Sequence, residues 1–339
     1  MAGHENLLEV KNGAAPLWAI CCYFNPVGYR RRVENYRHFR SNLNVPLITV
    51  ELGYDGRFDL GQDAAEIHIR VDSQDVMWQK ERLLNIALEY LPDDCAYFAW
   101  LDADVVFDDV NWAAKSIEAL QRYPLIQPFD RVFESTPANP ANSVNPVNTQ
   151  GHSLAYIYSS GTDMSTLLSG NMRIKGCNGG LAWVARREVF ATDAFYDTCI
   201  MGSGNRAMLC AAFGQEQYAV SYLQMPAAWE AHYREWAQRH RQQVGGDVGY
   251  IAGSVTHLWH GDLRDRAYKS RHREFREYQF DPNVDIMLDD SGCWRWSTDK
   301  AQMQDYVSRY FYQRREDGAT IGPMQAAVSE EEMVPGSMG

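Results

Sequence analysis

Phe98-Ala99-Trp100-Leu101-Asp102-Ala103-Asp104-Val105-Val106-Phe107 is an apolar run broken by two carboxylates. Burying an ion without compensation costs several kcal/mol, so acids in such surroundings point to pairing or to a bound metal. Two acids two residues apart at a strand end share one face. There they can converge on a hard divalent cation, and such a cation can hold a diphosphate. The plainer reading is a strand followed by an acidic turn, since Asp108 and Asp109 come next.

The flanking sequence makes this strand one of a series. Pro16 to Phe24 reads as a buried first strand, followed by the turn Asn25-Pro26-Val27-Gly28 and a basic helix from Tyr29 to Asn42. Leu47 to Leu52 reads as a second strand with Glu51 near its carboxyl end, and Ala65 to Val71 alternates as a third. Val76 to Leu91 is an amphipathic helix with Val76, Leu83, Leu84, Ala87 and Leu91 on one face. After the acidic strand come a helix over Asn111 to Tyr123 and a short strand over Leu125 to Phe129. The alternation predicts an α/β fold with a mostly parallel sheet and helices on both faces. Ligands of such sheets bind at the carboxyl ends of the strands, so Asn25, Glu51, Asp102 and Asp104 are expected to rim one crevice.

The bulk composition excludes several classes. The chain has 339 residues, 45% of them hydrophobic and 22% charged, as expected of an ordinary globular protein. No apolar stretch approaches the roughly 20 residues of a membrane span, and Met1 to Asn12 lacks a signal-peptide core. Seven cysteines without Cys-x-x-Cys spacing argue against a disulfide framework or a zinc ribbon, and the expected compartment is the cytoplasm. Net charge is −12, unlike a general nucleic-acid binder. Even so, residues 28–41 carry five Arg against one Glu, and residues 231–280 carry nine Lys or Arg against six acids, with five of the nine His. Those stretches face phosphates or form solvated helix faces with internal ion pairs.

Other segments qualify as parts of a site. Gly176-Cys177-Asn178-Gly179-Gly180 leads into an apolar strand, and its glycines either permit close approach to a ligand or simply make a tight turn. Met201-Gly202-Ser203-Gly204-Asn205-Arg206 enters an apolar helix whose first amides can bind an anion. Thr256-His257-Leu258-Trp259-His260-Gly261 holds two histidines three residues apart, either structural or metal ligands. Read as a helix, the following segment puts Arg264, Tyr268 and Arg271 on one face. In the helix before the acidic strand, Lys80 and Arg82 can aim at phosphate or sugar, and Asn85 on the apolar side wants a partner. Glu134 to His152 is rich in Pro, Asn, Ser and Thr and reads as a mobile lid or an insertion; Ala326 to Gly339 reads as a disordered tail. No Walker, Rossmann or Gly-x-Ser-x-Gly motif is present.

In this order the pieces resemble GT-A glycosyltransferases, over roughly residues 16 to 275. The resemblance implies a Rossmann-like GT-A domain over 14–325, with a nucleotide-sugar-binding half at 14–130 and an acceptor-side half at 151–325 joined by a flexible 131–152 loop. It implies a nucleotide-sugar donor, most often a UDP-hexose, and Mn²⁺ or Mg²⁺ that neutralises the leaving diphosphate. Cys22 to Asn25, with Glu51, Asn85 and Asp102, would line the nucleotide pocket. Gly179 and Gly180 would face the sugar. Asp102, Asp104, His257 and His260 would form the metal shell, and Lys80 or Arg264 would stabilise leaving charge. The acceptor would be a glycan, a lipid-linked sugar or a hydroxymethylated pyrimidine in DNA.

One position departs from the family pattern. Inverting members of this type often carry an acid after the late Gly-rich turn, where this chain has Asn205, and neutral Asn cannot act as a base. Asp197 is then the candidate for that work, and inverting or retaining outcome stays open. Two other readings remain: a sugar-nucleotide pyrophosphorylase-like nucleotidyltransferase, although no Gly-rich, Lys/Arg-bearing loop follows the first strand, and a non-catalytic nucleotide-sugar-binding module.

Overall fold

A computed structural model describes residues 17–137, 151–170, 172 and 176–318. Most of the proposed lid between Glu134 and His152, and the whole of the proposed tail over 326–339, lie outside the described residues. The first half runs β1 (Leu17–Phe24), α1 (Arg30–Ser41), β2 (Leu47–Tyr54), β3 (Ile67–Ser73), α2 (Lys80–Leu88), β4 (Tyr97–Leu101), β5 (Val105–Phe107), α3 (Trp112–Ala119), β6 (Leu125–Gln127) and β7 (Arg131–Glu134). Then follow β8 (Gly151–Ser153), α4 (Leu154–Ser159), α5 (Met164–Leu168), β9 (Cys177–Asn178), β10 (Ala182–Arg186), α6 (Gly204–Ala212), α7 (Glu216–Leu223) and α8 (Ala227–Val244). The chain continues through β11 (Val248–Tyr250), β12 (Ser254–His257), α9 (Ser270–Phe275), β13 (Ile286–Leu288), β14 (Trp294–Trp296) and α10 (Ala301–Gln313).

The expected mostly parallel α/β sheet is present. Seven strands pair in the order β11-β6-β10-β4-β1-β2-β3, and β10 alone runs antiparallel to its neighbours. Strand alternation divides its side chains between two cores. Ile20 and Phe24 of β1 join Trp100 and the α2 residues Leu83, Leu84 and Ala87 on one face. Ala19, Cys21 and Tyr23 join Tyr36 and Phe39 of α1 and Trp112 of α3 on the other. A second sheet, in the order β5-β12-β7-β8-β9, stands where the main sheet's β4 gives out. β12 pairs antiparallel with β5, setting His257 opposite Val105, next to Asp104. Thus Asp102-Ala103-Asp104 is the turn by which the chain leaves one sheet for the other.

Two expectations are corrected. The helix expected from Val76 begins only at Lys80, because the preceding residues are engaged elsewhere: the Trp78 amide donates to the Ile200 carbonyl (3.0 Å), and the Gln79 side chain bonds both backbone groups of Trp294 (2.7 and 3.1 Å). The single helix expected to carry Arg264, Tyr268 and Arg271 is instead a 3-10 turn over Leu263–Arg266, a left-handed Ala267 (φ 46°), and then α9. No described helix is long and apolar enough to cross a membrane. All seven cysteines are free thiols.

Candidate functional site

The carboxyl ends of β1 and β4, the α6 N-terminus and the β12–α9 segment enclose a cleft of about 250 Å³. Asp104, His257 and His260 meet on its floor, with ligand atoms within 4.8 Å of one another. Local chain geometry brings them together. The Leu258 amide donates to the Asp104 carbonyl (2.8 Å), fixing the β4–β5 turn against the end of β12, and three residues further on His260 returns to the same spot.

Asp104 Oδ2 lies 3.1 Å from His260 Nε2, and Oδ1 lies 3.8 Å from His257 Nε2. The two Nε2 atoms are 3.2 Å apart. His257 Nδ1 is 2.6 Å from the Glu134 carboxylate, an arrangement that turns its Nε2 towards the cluster, as carboxylate partners do for metal-bound imidazoles. Burial, followed by the neighbouring Arg266, holds His260 well below its usual range, so it is neutral, the form that ligates metal. Burial also raises the Asp104 carboxyl, and its Oδ1 is buried without a hydrogen-bond partner. An orphaned carboxylate oxygen beside two imidazole nitrogens fits a divalent cation such as Mn²⁺. Arg266 donates to His260 Nε2 at 2.8 Å. A cation on that lone pair would displace the guanidinium and free it to face the cleft.

The expected site residues separate into two groups. Cys22, Lys80, Asp102, Gly179, Gly180 and Asn205 line the cleft with the cluster. Asp102 is grouped with Lys80 rather than with the histidines: the two form a close ion pair, and although burial opposes the charge, Asp102 and then Glu81 hold Lys80 above its usual range. Side chains crowd both wall glycines. A Cβ on Gly179 would lie 2.6 Å from Leu209 Cδ1, and one on Gly180 would lie 3.2 Å from the Asn205 amide.

Asn25, Glu51, Asn85, Asp197 and Arg264 do not line the cleft. Asn25 shapes the β1–α1 turn, accepting from the Tyr29 amide (2.9 Å) and donating to Asp59 (2.7 Å). Glu51 accepts from the amides of Asp59 and Leu60 and contacts His68. Asn85 ties α2 to Phe195 and to Asp197, which also pairs with Arg82 at 3.2 Å. Asp197 is therefore a buried tether, with its carboxyl raised mainly by burial. Arg264 is three-quarters exposed and pairs with Asp262 and Asp265.

Arginines complete the walls, Arg271 among those expected on a basic face and the others not singled out by the sequence. Arg32, Arg206, Arg266, Arg271 and Arg314 all reach the cleft, making it cationic in an acidic protein. Arg266 enters because of the left-handed Ala267, which no local sequence signal announces. Ser203, also left-handed (φ 73°), is held by Arg271 (2.8 Å) and His272 (3.1 Å) and sets the α6 N-terminus on the rim. Such strain concentrates at functional sites. Glu81 lines the cleft as well. Its signal was its position three residues before Leu84, on the buried side of α2.

No family model and no curated protein matches this sequence. Among solved structures, the chain is similar to a mannosyltransferase from Pyrobaculum calidifontis in complex with GDP-Man and Mn²⁺, at 12% identity and a TM-score of 0.39, covering 78% of this chain and 62% of that one. It is also similar to residues 1–349 of S. aureus TarS (9% identity, TM-score 0.36, 88% of this chain and 71% of that one). A third is the catalytic domain of Drosophila β1,4-galactosyltransferase 7 with xylobiose (12% identity, TM-score 0.31, 85% and 97%). This chain thus spans less than two thirds of the mannosyltransferase's length, and likeness at this level assigns neither family nor activity.

Proposed function

We propose that this protein is a metal-dependent glycosyltransferase that moves a sugar from a nucleotide diphosphate sugar, with UDP-hexose the first donor to try, to a hydroxyl acceptor. The observation that carries this reading is the buried, unpartnered Asp104 Oδ1 beside His257 and His260 in a cationic cleft at the strand carboxyl ends. A divalent cation there would neutralise the diphosphate as leaving charge develops. Lys80, Arg266 and Arg271 lie where they can bind phosphate oxygens, and the Gly179–Gly180 wall leaves room for the sugar. Asp102, tied to Lys80, orients that ammonium and offers its second oxygen to ribose or metal.

The test is a donor screen with the full chain and Mn²⁺ or Mg²⁺, following nucleotide release from UDP-glucose, UDP-galactose and GDP-mannose. Glycans and hydroxymethylated duplex DNA serve as acceptors, and mass spectrometry reads the product. Metal-dependent release of the nucleoside diphosphate with a hexose-sized mass gain on one acceptor is expected. Release of pyrophosphate from a sugar phosphate and a nucleoside triphosphate would support the nucleotidyltransferase reading instead. Binding without turnover in every case would leave a binding module.

A further inference from the structure

Glu81 sits in the second residue of α2, yet it is 5% exposed and lines the cleft. Its carboxyl rests against Gly204, the first residue of α6, so closely that a Cβ there would collide with it. Gly204 is followed by Asn205, also on the cleft wall and the position where the chain lacks an acid. Two neighbouring acids are committed: Asp197 to Arg82 and Asn85, and Asp102 to Lys80. The Glu81 carboxyl is held by its own backbone amide rather than by a salt bridge to a neighbouring side chain among the described residues. Burial pushes Glu81 up to about 7, with Lys80 opposing that shift and Asp102 and Asp197 adding to it. A carboxyl poised near neutrality in a cleft is suited to taking a proton.

We infer that Glu81, reaching the acceptor side across Gly204, is the catalytic base that Asn205 cannot be. This rests on the transferase reading above. In the step, the acceptor hydroxyl gives its proton to the Glu81 carboxylate as its oxygen forms a bond to the anomeric carbon. The bond from that carbon to the diphosphate oxygen breaks, and its electron pair leaves on the diphosphate, which faces Lys80 and Arg266. Lys80, one residue away, keeps the carboxylate available, while Gly204 gives it the space to approach. The Glu81 surroundings also include Cys22 on β1 and Cys199 before the Gly202 turn. The thiols are raised by burial and stay neutral, so the charges acting on Glu81 are Lys80, Asp102 and Asp197.

The test compares the wild-type chain with Glu81→Gln and Glu81→Asp. It follows nucleotide release from the donors of the screen above with its acceptors and Mn²⁺ present, and calorimetry measures UDP and GDP affinity alongside. The expected result for Glu81→Gln is a fall in kcat of about 100-fold or more with nucleotide affinity unchanged within twofold. The wild-type rise in rate through neutral pH should vanish, and Glu81→Asp should restore part of the rate. Turnover of Glu81→Gln within threefold of wild type would overturn the assignment. So would a parallel loss of affinity and turnover, which marks a structural role. A wild-type chain that releases no nucleotide from any donor of that screen with any of its acceptors would instead overturn the transferase reading, and Glu81 as base with it.

Discussion

At the scale of single residues, the site turns on the difference between a committed carboxylate and an uncommitted one. Glu51, Asp197 and Asp102 are each neutralised by neighbours, through backbone amides, Arg82 or Lys80. Asp104 Oδ1 has no hydrogen-bond partner although it is buried, and an unsatisfied buried carboxylate oxygen is unfavourable unless a cation meets it. Asp104→Ala should therefore abolish stoichiometric Mn²⁺ binding by calorimetry and reduce nucleotide release by at least about 100-fold, an effect of the size expected when a metal's charge stabilisation is lost. Because the substitution removes a desolvated charge, thermal stability of the metal-free protein should hold or rise. Retained Mn²⁺ affinity would place the metal elsewhere. Glu134 is outside the ligand set but touches His257 Nδ1 at 2.6 Å, so Glu134→Gln should weaken Mn²⁺ affinity roughly 10- to 100-fold without removing it.

At the scale of elements, strands were more legible than helix ends or irregular segments. β1 to β4 fall where apolar runs and alternation put them, because a buried strand must be apolar along most of its length. The Asp102–Asp104 turn and the His257–His260 pair were visible as chemistry-bearing residues in apolar company. Asn85 reads as a polar group wanting a partner, whereas Asn25 and Glu51 read as crevice residues; all three are instead engaged by the protein's own amides, carbonyls and side chains, which no single segment reveals. Arg266 and Glu81 depend on a left-handed alanine and on a glycine contact across elements. α8 offers an element-scale test. His240 stacks on Trp236 (4.7 Å between centroids), and both its ring nitrogens are buried without partners. Burial lowers its pKa from 6.5 to about 4. The unfolded chain therefore binds the proton first: the neutral-histidine contribution is complete above pH 6.5 and is lost as pH falls towards 4. Denaturant titrations should show a loss of about 3 kcal/mol over that window from this group. His240→Phe should remove that part of the pH dependence while keeping the stack, and an unchanged pH profile would show that the helix opens locally to hydrate the ring.

At the scale of the whole molecule, the site is assembled by segments distant in sequence, and the end of the described chain locks them together. After α10 the chain crosses the cleft rim. Asp317 accepts from the first two amides of α1 (3.1 and 2.7 Å), capping that helix in trans. Glu316 is 1% exposed, 2.5 Å from Arg314 and 3.0 Å from Arg32 of α1, and its carboxyl is 3.7 Å from His260 Nδ1. Gly261 lies so close to this strap that a Cβ would stand 2.9 Å from the carbonyls of Arg314 and Arg315. Glu316 thus compensates two arginines lining the cleft and braces a histidine of the cluster. Burial opposes its charge, but Arg314 and then Arg32 outweigh that and hold it well below the usual carboxylate range. A depressed carboxylate stabilises the fold fully above its unfolded pKa, near 4.3, and that contribution is lost as pH falls below it. Glu316→Ala leaves the buried Arg314 and the partly exposed Arg32 without their counter-ion, for which the expected cost is about 3 kcal/mol at pH 7 by denaturant unfolding. If the strap also holds the site together, Mn²⁺ affinity should fall with it even under conditions where the variant is folded. Glu316→Gln, which keeps the shape and loses the charge, then separates the two roles: lower stability with Mn²⁺ affinity retained makes Glu316 a counter-ion, whereas loss of both makes the strap part of the metal centre's support.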